Sequence, residues 1–399
     1  MKTHRLNRID IEGFRSLRKQ TWHPGELNVL IGPNASGKSN LLRALQMVSF
    51  AATGKLGEFV QQEGGMAPIC WNRNSKSVRV ALELRTDGHE QGDSDALSYE
   101  FTLSRVGSTA YQIGDEQLTE SLFQDGTQVR AECLLRRAPE SAELFSTEHG
   151  HFVSPKDLPN AQETFLSMIS DAFAVNPNVA EFRVLLSQWK IFEPFRTDRA
   201  ATVREPQVAR VSHHVGPWGQ NLPRVLHTLC NSSRDFEEGI NQAMQAAFGE
   251  EFEKLVFPPA ADQRIQLGIR WKSLGNYSLA SELSDGTLRF LYLVAVLVDP
   301  NPLPLIVIDE PELGLHPSML PIVAELAVDA ATRSQIVFTT HSTDFLDAFP
   351  RDSAPKVTVV KLVNGETELH IPDADELKHW LQEYNLGELH RSHQLDTMV

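Results

Sequence analysis

Between Arg5 and Phe14 apolar and polar positions alternate, with Leu6, Ile9, Ile11 and Phe14 set among charged and polar neighbours, the period of a strand with one buried face. Leu27-Asn28-Val29-Leu30-Ile31 is a short apolar run that stops at a glycine, and it predicts a strand covered on both faces. From Asn40 to Ser49 the period changes: Leu41, Leu42, Leu45 and Val48 fall at helical spacing. Strand period returns in Val78-Arg79-Val80-Ala81-Leu82-Glu83-Leu84 and Leu97-Ser98-Tyr99-Glu100-Phe101-Thr102-Leu103, separated by a turn-rich stretch from Asp87-Gly88 to Asp95. An antiparallel meander is predicted from Ser77 to about Arg136. Helical spacing then dominates from about Pro139 to Gly249, notably over Asn160 to Phe173, Leu222 to Leu229 and Asp235 to Phe248, with a loop from Arg196 to Ser212. From Arg264 strands return. Leu305-Ile306-Val307-Ile308 and Gln335-Ile336-Val337-Phe338-Thr339 are near-continuous apolar runs of the kind parallel strands show, predicted to complete the sheet begun near Leu27.

This pattern divides the chain into an N-terminal lobe over 1–138, a mainly helical insertion over 139–262, a C-terminal lobe over 263–370 and a helical tail over 371–399. No tandem repeat, low-complexity stretch or long heptad run interrupts it. With 399 residues, 41% hydrophobic and 22% charged, the chain has ample material for a full core. The net charge of -15 argues against a surface built throughout to neutralise phosphates, so nucleic acid is a partner that composition permits and does not imply. Cys70, Cys133 and Cys230 stand far apart, without a disulfide framework or zinc spacing, which fits a reducing cytoplasm. The N-terminus carries no apolar signal core. The apolar stretch from Leu288 to Ile308 is broken by Arg289, Asp299 and three prolines, so no membrane association is expected.

Chemistry enters at Gly32-Pro33-Asn34-Ala35-Ser36-Gly37-Lys38-Ser39, which fits G-x-x-x-x-G-K-[ST] and lies between a predicted strand and a predicted helix. In such a loop the backbone N–H groups of Gly32, Asn34, Ala35, Ser36 and Gly37 turn inward around ATP phosphates. Lys38 reaches the β- and γ-phosphates, the Ser39 hydroxyl ligates Mg²⁺, and Asn40 follows at the helix start. Far downstream, the apolar run from Leu305 ends in Asp309-Glu310. In a chain with a phosphate loop, the first of these carboxylates holds magnesium and the second polarises the attacking water. Leu283-Ser284-Asp285-Gly286-Thr287 opens an apolar helix and reads on its own as a simple N-cap. Thr339-Thr340-His341-Ser342 follows another buried strand.

The order of these motifs resembles the ABC-class ATPase heads of the RecF, SMC and OLD proteins, over about Arg5 to Ser49 and Tyr277 to Phe349. Ile11-Glu12-Gly13-Phe14-Arg15-Ser16-Leu17 and Ile308-Asp309-Glu310-Pro311-Glu312-Leu313-Gly314-Leu315-His316-Pro317 are especially similar to the stand-alone, RecF-like bacterial ATPases of this group, and the tail Trp380 to Leu389 is similar as well. The resemblance implies an α/β P-loop NTPase of the ABC head type, with a mixed sheet, an antiparallel β subdomain and a helical insertion. It implies that Ser284, Asp285 and Gly286 touch ATP held by a second copy, so that a homodimer closes on nucleotide. His341 would contact the γ-phosphate, and Arg15 would contact nucleotide phosphate or sugar.

Three departures qualify the resemblance. The signature reads Leu-Ser-Asp-Gly-Thr, unlike the Leu-Ser-Gly-Gly-Gln of transporters. Gln61, Gln62 and Gln188 compete for the position of the glutamine that links the lobes. His316 stands where many such heads have aspartate. His213-His214, His370, His379, His390 and His393 lack ligand-like spacing, so no metal site is expected from them. The residues after His341 are too few for a fused nuclease domain. The expected function is an Mg²⁺-dependent ATP switch acting on nucleic acid or on an effector protein, in DNA repair or antiviral defence. The alternatives are a regulatory or toxin-system ATPase that acts on a protein alone and, less favoured, a transporter subunit.

Overall fold

The computed structural model describes residues 4–86, 94–107, 110–124, 127–157, 160–169 and 175–398. These form two compact units, each discontinuous in sequence. The first comprises Met1–Lys190, Leu303–Leu305 and Thr358–Ile371, and the second Ile191–Pro302, Ile306–Val357 and Pro372–Val399.

The first unit is built on an antiparallel sheet of eight strands among the described residues. Its order is Leu17–Trp22, His4–Phe14, Ser77–Thr86, Ser94–Val106, Ala110–Gln124, Thr127–Ala138, Ser141–Ser146 and His151–Val153. Register follows the apolar alternation. Val78 faces Leu103, Val80 faces Phe101, Leu82 faces Tyr99 and Leu84 faces Leu97, and all eight side chains are buried. Between them, Arg79 and Glu100 form an ion pair on the opposite face. A one-residue slip would bury those charges and expose the apolar row, which fixes the pairing.

The same unit holds the strand Leu27–Ile31, in which Asn28, Val29, Leu30 and Ile31 are fully buried. Beside it runs Lys356–Val363, paired in turn with Glu366–His370. The helix Lys38–Thr53 follows the phosphate loop and buries Leu41, Leu42, Leu45 and Val48, as their spacing predicts.

The strands Lys190–Phe192, Leu305–Asp309 and Gln335–Thr340, whose residues after Lys190 and Leu305 belong to the second unit, lie side by side. The last two are joined through the helix Leu320–Ala331, the crossover that parallel neighbours require. All six residues of Gln335–Thr340 are buried. The helix Asp285–Leu297 packs inside the unit, with every residue from Leu288 to Leu297 buried except Arg289. Two small three-stranded sheets, the helices Leu222–Ser232 and Arg234–Phe248 and the short helices Thr343–Asp347, Ala374–Trp380, Leu386–Arg391 and Gln394–Thr397 also belong to it.

Two expectations change. Antiparallel strands continue past residue 138 to Val153, so the segment predicted as a helical insertion begins as sheet. The helix expected over Asn160 to Phe173 is absent from its described part, which holds only a single 3-10 turn at Leu166–Met168; residues 170–174 lie outside the described residues. Its side chains serve tertiary contacts instead. Glu163 accepts the backbone N–H groups of Leu56 and Gly57, the Thr164 hydroxyl donates to Ala51 O, and the buried Glu116 carboxylate accepts the N–H groups of Phe165 and Leu166. The turn expected over Asp87 to Asp95 falls mostly outside the described residues. Among the described residues no helix is long and apolar enough to cross a membrane.

Candidate functional site

The phosphate loop springs from the buried end of Leu27–Ile31 and feeds the helix Lys38–Thr53. Gly37, at φ 105°, is the N-cap and supplies no side chain, so no side chain caps the first turn of this helix. A Cβ at Gly37 would lie 1.9 Å from Thr367 Oγ1, and one at Gly32 would lie 2.3 Å from Val360 O, so only glycine fits at either place. Lys38 is buried and donates to Gly32 O at 2.6 Å and Pro33 O at 3.1 Å. The Ser36 hydroxyl is buried without a hydrogen-bond partner, an orphaned donor of the kind a phosphate oxygen would satisfy. Asn34, Ala35 and Ser39 are exposed. A helix start without a side-chain cap, a glycine-shaped cradle, a buried ammonium and an orphaned hydroxyl together fit a bound polyphosphate.

Behind the loop runs a hydrogen-bond relay that sequence reasoning did not find. Arg15 Nη1 donates to Asn40 Oδ1 at 3.1 Å. Asn40 Nδ2 donates to Ser16 Oγ at 2.6 Å. Ser16 Oγ and Thr367 Oγ1 are 2.5 Å apart, and Thr367 Oγ1 donates to Ser36 O at 2.9 Å. A hydroxyl has one proton, and that of Thr367 is committed to Ser36. Ser16 therefore donates to Thr367, and every bond in the relay points from Arg15 towards the phosphate loop. The Arg15 backbone is left-handed, at φ 49°. Its guanidinium, expected at nucleotide, is ion-paired with the largely buried Glu63. Burial, and secondarily the charge of Arg43, lowers its pKa.

In the second unit, Asp309 ends its strand and accepts a hydrogen bond from the Thr339 hydroxyl. Glu310 is left-handed at φ 47°, a conformation that costs a residue with a side chain about 1 kcal/mol or more. It is held there by its N–H, which donates to Thr339 O and Thr339 Oγ1, both at 3.1 Å. His341 Nδ1 lies 3.2 Å from Glu310 Oε1 and 3.9 Å from Glu312 Oε1. Glu312 accepts the Thr340 hydroxyl at 2.5 Å. Its other oxygen is buried without a partner, and burial raises its pKa. Asp309, Glu310 and His341 thus share one strand-end cluster, set by the threonine pair that precedes His341. Among the described residues no three ligand-type side chains converge as a metal cage.

Ser284 caps the helix Asp285–Leu297, accepting the Thr287 N–H at 3.1 Å. A Cβ at Gly286 would meet Gly314 O at 2.9 Å, and Arg289 Nη1 donates to Leu313 O at 2.8 Å. The signature helix therefore packs directly on the loop after Glu310. Asp285 pairs with Arg204, which lies on a loop where no motif points. His316 caps the 3-10 turn Pro317–Met319, accepting the Ser318 N–H. Gln61, Gln62 and Gln188 are all exposed.

A family model described as "AAA domain, putative AbiEii toxin, Type IV TA system" matches residues 27–347. The chromosome partition protein Smc of Delftia acidovorans is 29% identical over 135 residues, covering 30% of this chain and 11% of that protein. The DNA replication and repair protein RecF of Teredinibacter turnerae is 21% identical over 277 residues, covering 68% of this chain and 62% of that protein. The chain thus spans less than two thirds of either relative. The Smc head domain with an extended coiled coil, bound to the C-terminal domain of ScpA, from Pyrococcus furiosus matches with a TM-score of 0.52 at 11% identity, covering 95% of this chain and 99% of that one. The fold is that of the RecF- and SMC-like ABC-class ATPases, and the chain belongs to the AAA-domain family whose model spans it from the phosphate-loop strand to beyond His341.

Proposed function

We propose that this chain is an Mg²⁺-dependent ATPase of the ABC class whose two copies close head to head on ATP. The observation that carries this reading is the phosphate loop: an uncapped helix start over a buried, unpartnered Ser36 hydroxyl. Lys38 and the loop N–H groups bind the phosphates. Ser39 and Asp309 would hold the metal, which would supply positive charge against the phosphoryl group being transferred. His341 Nδ1–H donates to Glu310 and fixes its orientation, and Glu310 polarises the attacking water. Ser284, Asp285 and Gly286 address the nucleotide of the second copy. Since that contact exists only in the closed state, nucleotide binding and self-association are coupled.

Glu310→Gln tests the assignment. The variant binds ATP, stalls hydrolysis and accumulates a dimer on size-exclusion chromatography with light scattering. Hydrolysis at the wild-type rate would remove Glu310 from its role. The output proposed for the switch is action on nucleic acid or on an effector protein, in DNA repair or antiviral defence, as the RecF and Smc likenesses suggest. ATP-dependent retardation of duplex and single-stranded DNA across a salt series decides the nucleic-acid form, and no retardation at low salt rejects it. A second reading, a toxin-system ATPase acting only on protein, is favoured by the description of the matching family and by the net charge of -15.

A further inference from the structure

Arg204 is among the least accessible arginines near any of the motifs, with its side chain 8% exposed. It stands in the 3-10 turn Thr202–Arg204 of a loop without a recognised motif. All three of its guanidinium nitrogens are engaged. Nε donates to Thr197 O at 2.7 Å, Nη1 donates to Ala280 O at 2.7 Å and Leu283 O at 2.8 Å, and Nη2 donates to Asp285 Oδ1 at 2.6 Å. The turn itself is anchored, since Gln207 Nε2 donates to Thr202 O at 3.0 Å and to Gln220 O at 2.7 Å.

Leu283 and Asp285 are the residues on either side of Ser284. One planar group therefore grips the signature serine before and behind, while the serine's own hydroxyl is occupied as the cap of its helix. The Asp285 carboxylate is 61% exposed, so its bond to Arg204 adds little to stability. What it does is fix orientation, because a guanidinium presents its donors in a rigid fork. This also gives the aspartate of Leu-Ser-Asp-Gly-Thr a role: it supplies an acceptor that a glycine at that position lacks.

We propose that Arg204 is a positioning residue for the signature loop, holding Leu283 to Asp285 in the conformation that meets ATP bound by a second copy. This rests on the composite-site reading above. Arg204 touches no nucleotide; it acts through Ser284.

The test compares the wild-type chain, Arg204→Ala and Arg204→Lys by three measurements: binding of a fluorescent ATP analogue to dilute protein, ATP-dependent self-association, and hydrolysis as a function of enzyme concentration. Binding to the dilute protein stays within about twofold in all variants, since the phosphate loop is untouched. In Arg204→Ala, the concentration for half-maximal association and hydrolysis rises about tenfold or more, and the rate recovers as enzyme is added. A lysine offers one point charge in place of the fork, so Arg204→Lys shows an intermediate rise. If Arg204→Ala does not fold, Arg204→Lys carries the test. A wild type that associates on ATP, with variants that match it in concentration dependence, overturns the role of Arg204 alone. A wild-type rate per molecule that is independent of enzyme concentration, without association, overturns the composite-site reading and this one with it.

Discussion

Thr367→Val is the sharpest probe of the relay behind the phosphate loop. Valine keeps the volume and branching that pack against Gly37 but removes the hydroxyl that donates to Ser36 O and accepts from Ser16 Oγ. Thr367 is fully buried, so the Ser36 carbonyl is left without its donor in a place water does not readily reach. An unmet buried partner of that kind costs about 1–3 kcal/mol. The Ser16 hydroxyl can rotate to another acceptor, so only one such cost is counted. If the whole of it falls on the nucleotide-ready loop, ATP affinity drops about 5- to 150-fold. Thr367→Ser keeps the hydroxyl and stays within about threefold of wild type. The assay is equilibrium titration with a fluorescent ATP analogue, on variants first shown by circular dichroism to be folded. A folded Thr367→Val that binds as tightly as wild type would refute the relay's role. A loss in the serine variant with none in the valine variant would assign the effect to methyl packing at Gly37.

Two further outcomes follow from the same geometry. Thr339→Val removes the donor to Asp309 and one of two acceptors for the Glu310 N–H, so the turnover rate falls by about tenfold or more while KM for ATP moves by less than about threefold; an unchanged rate would show that Thr339 O alone fixes Glu310. Glu116 is fully buried, and burial raises its pKa above its ordinary value of 4.5. The native state therefore keeps that proton to higher pH than the unfolded chain does, and the contribution of Glu116, complete below 4.5, is lost as pH rises through the raised value. In Glu116→Gln this slope disappears. Urea unfolding from about pH 5 to 8 should show wild type losing stability relative to the variant as pH rises, and a constant difference would contradict the assignment.

What could be read from the sequence and what could not divide along a physical line. The strand Leu27–Ile31, the helix after the phosphate loop, the strands ending at Asp309 and at Thr340, and the signature helix are each specified by local apolar period and by motif, and each forms where its pattern places it. Thr367, Arg204 and Glu63 carry no such mark. Thr367 sits in the short strand Glu366–His370, whose polar alternation resembles any partly exposed edge, and it meets Ser36 only because the fold brings them together. Arg204 lies in a loop, and its partners are mostly backbone carbonyls, which look the same at every position. The stretch from Asn160 has helical spacing, yet Glu163, Thr164 and Phe165 are claimed by distant partners and the period is overridden.

Ser36 and Thr367 stand 331 positions apart. A ribosome makes the phosphate loop early and the hydroxyl that steadies it near the end of the chain described here. Until that late segment has emerged and paired, the Ser36 carbonyl has no donor and the glycine cradle lacks one wall. A nascent or prematurely terminated chain would then hold the motif without the donor and the wall that Thr367 supplies.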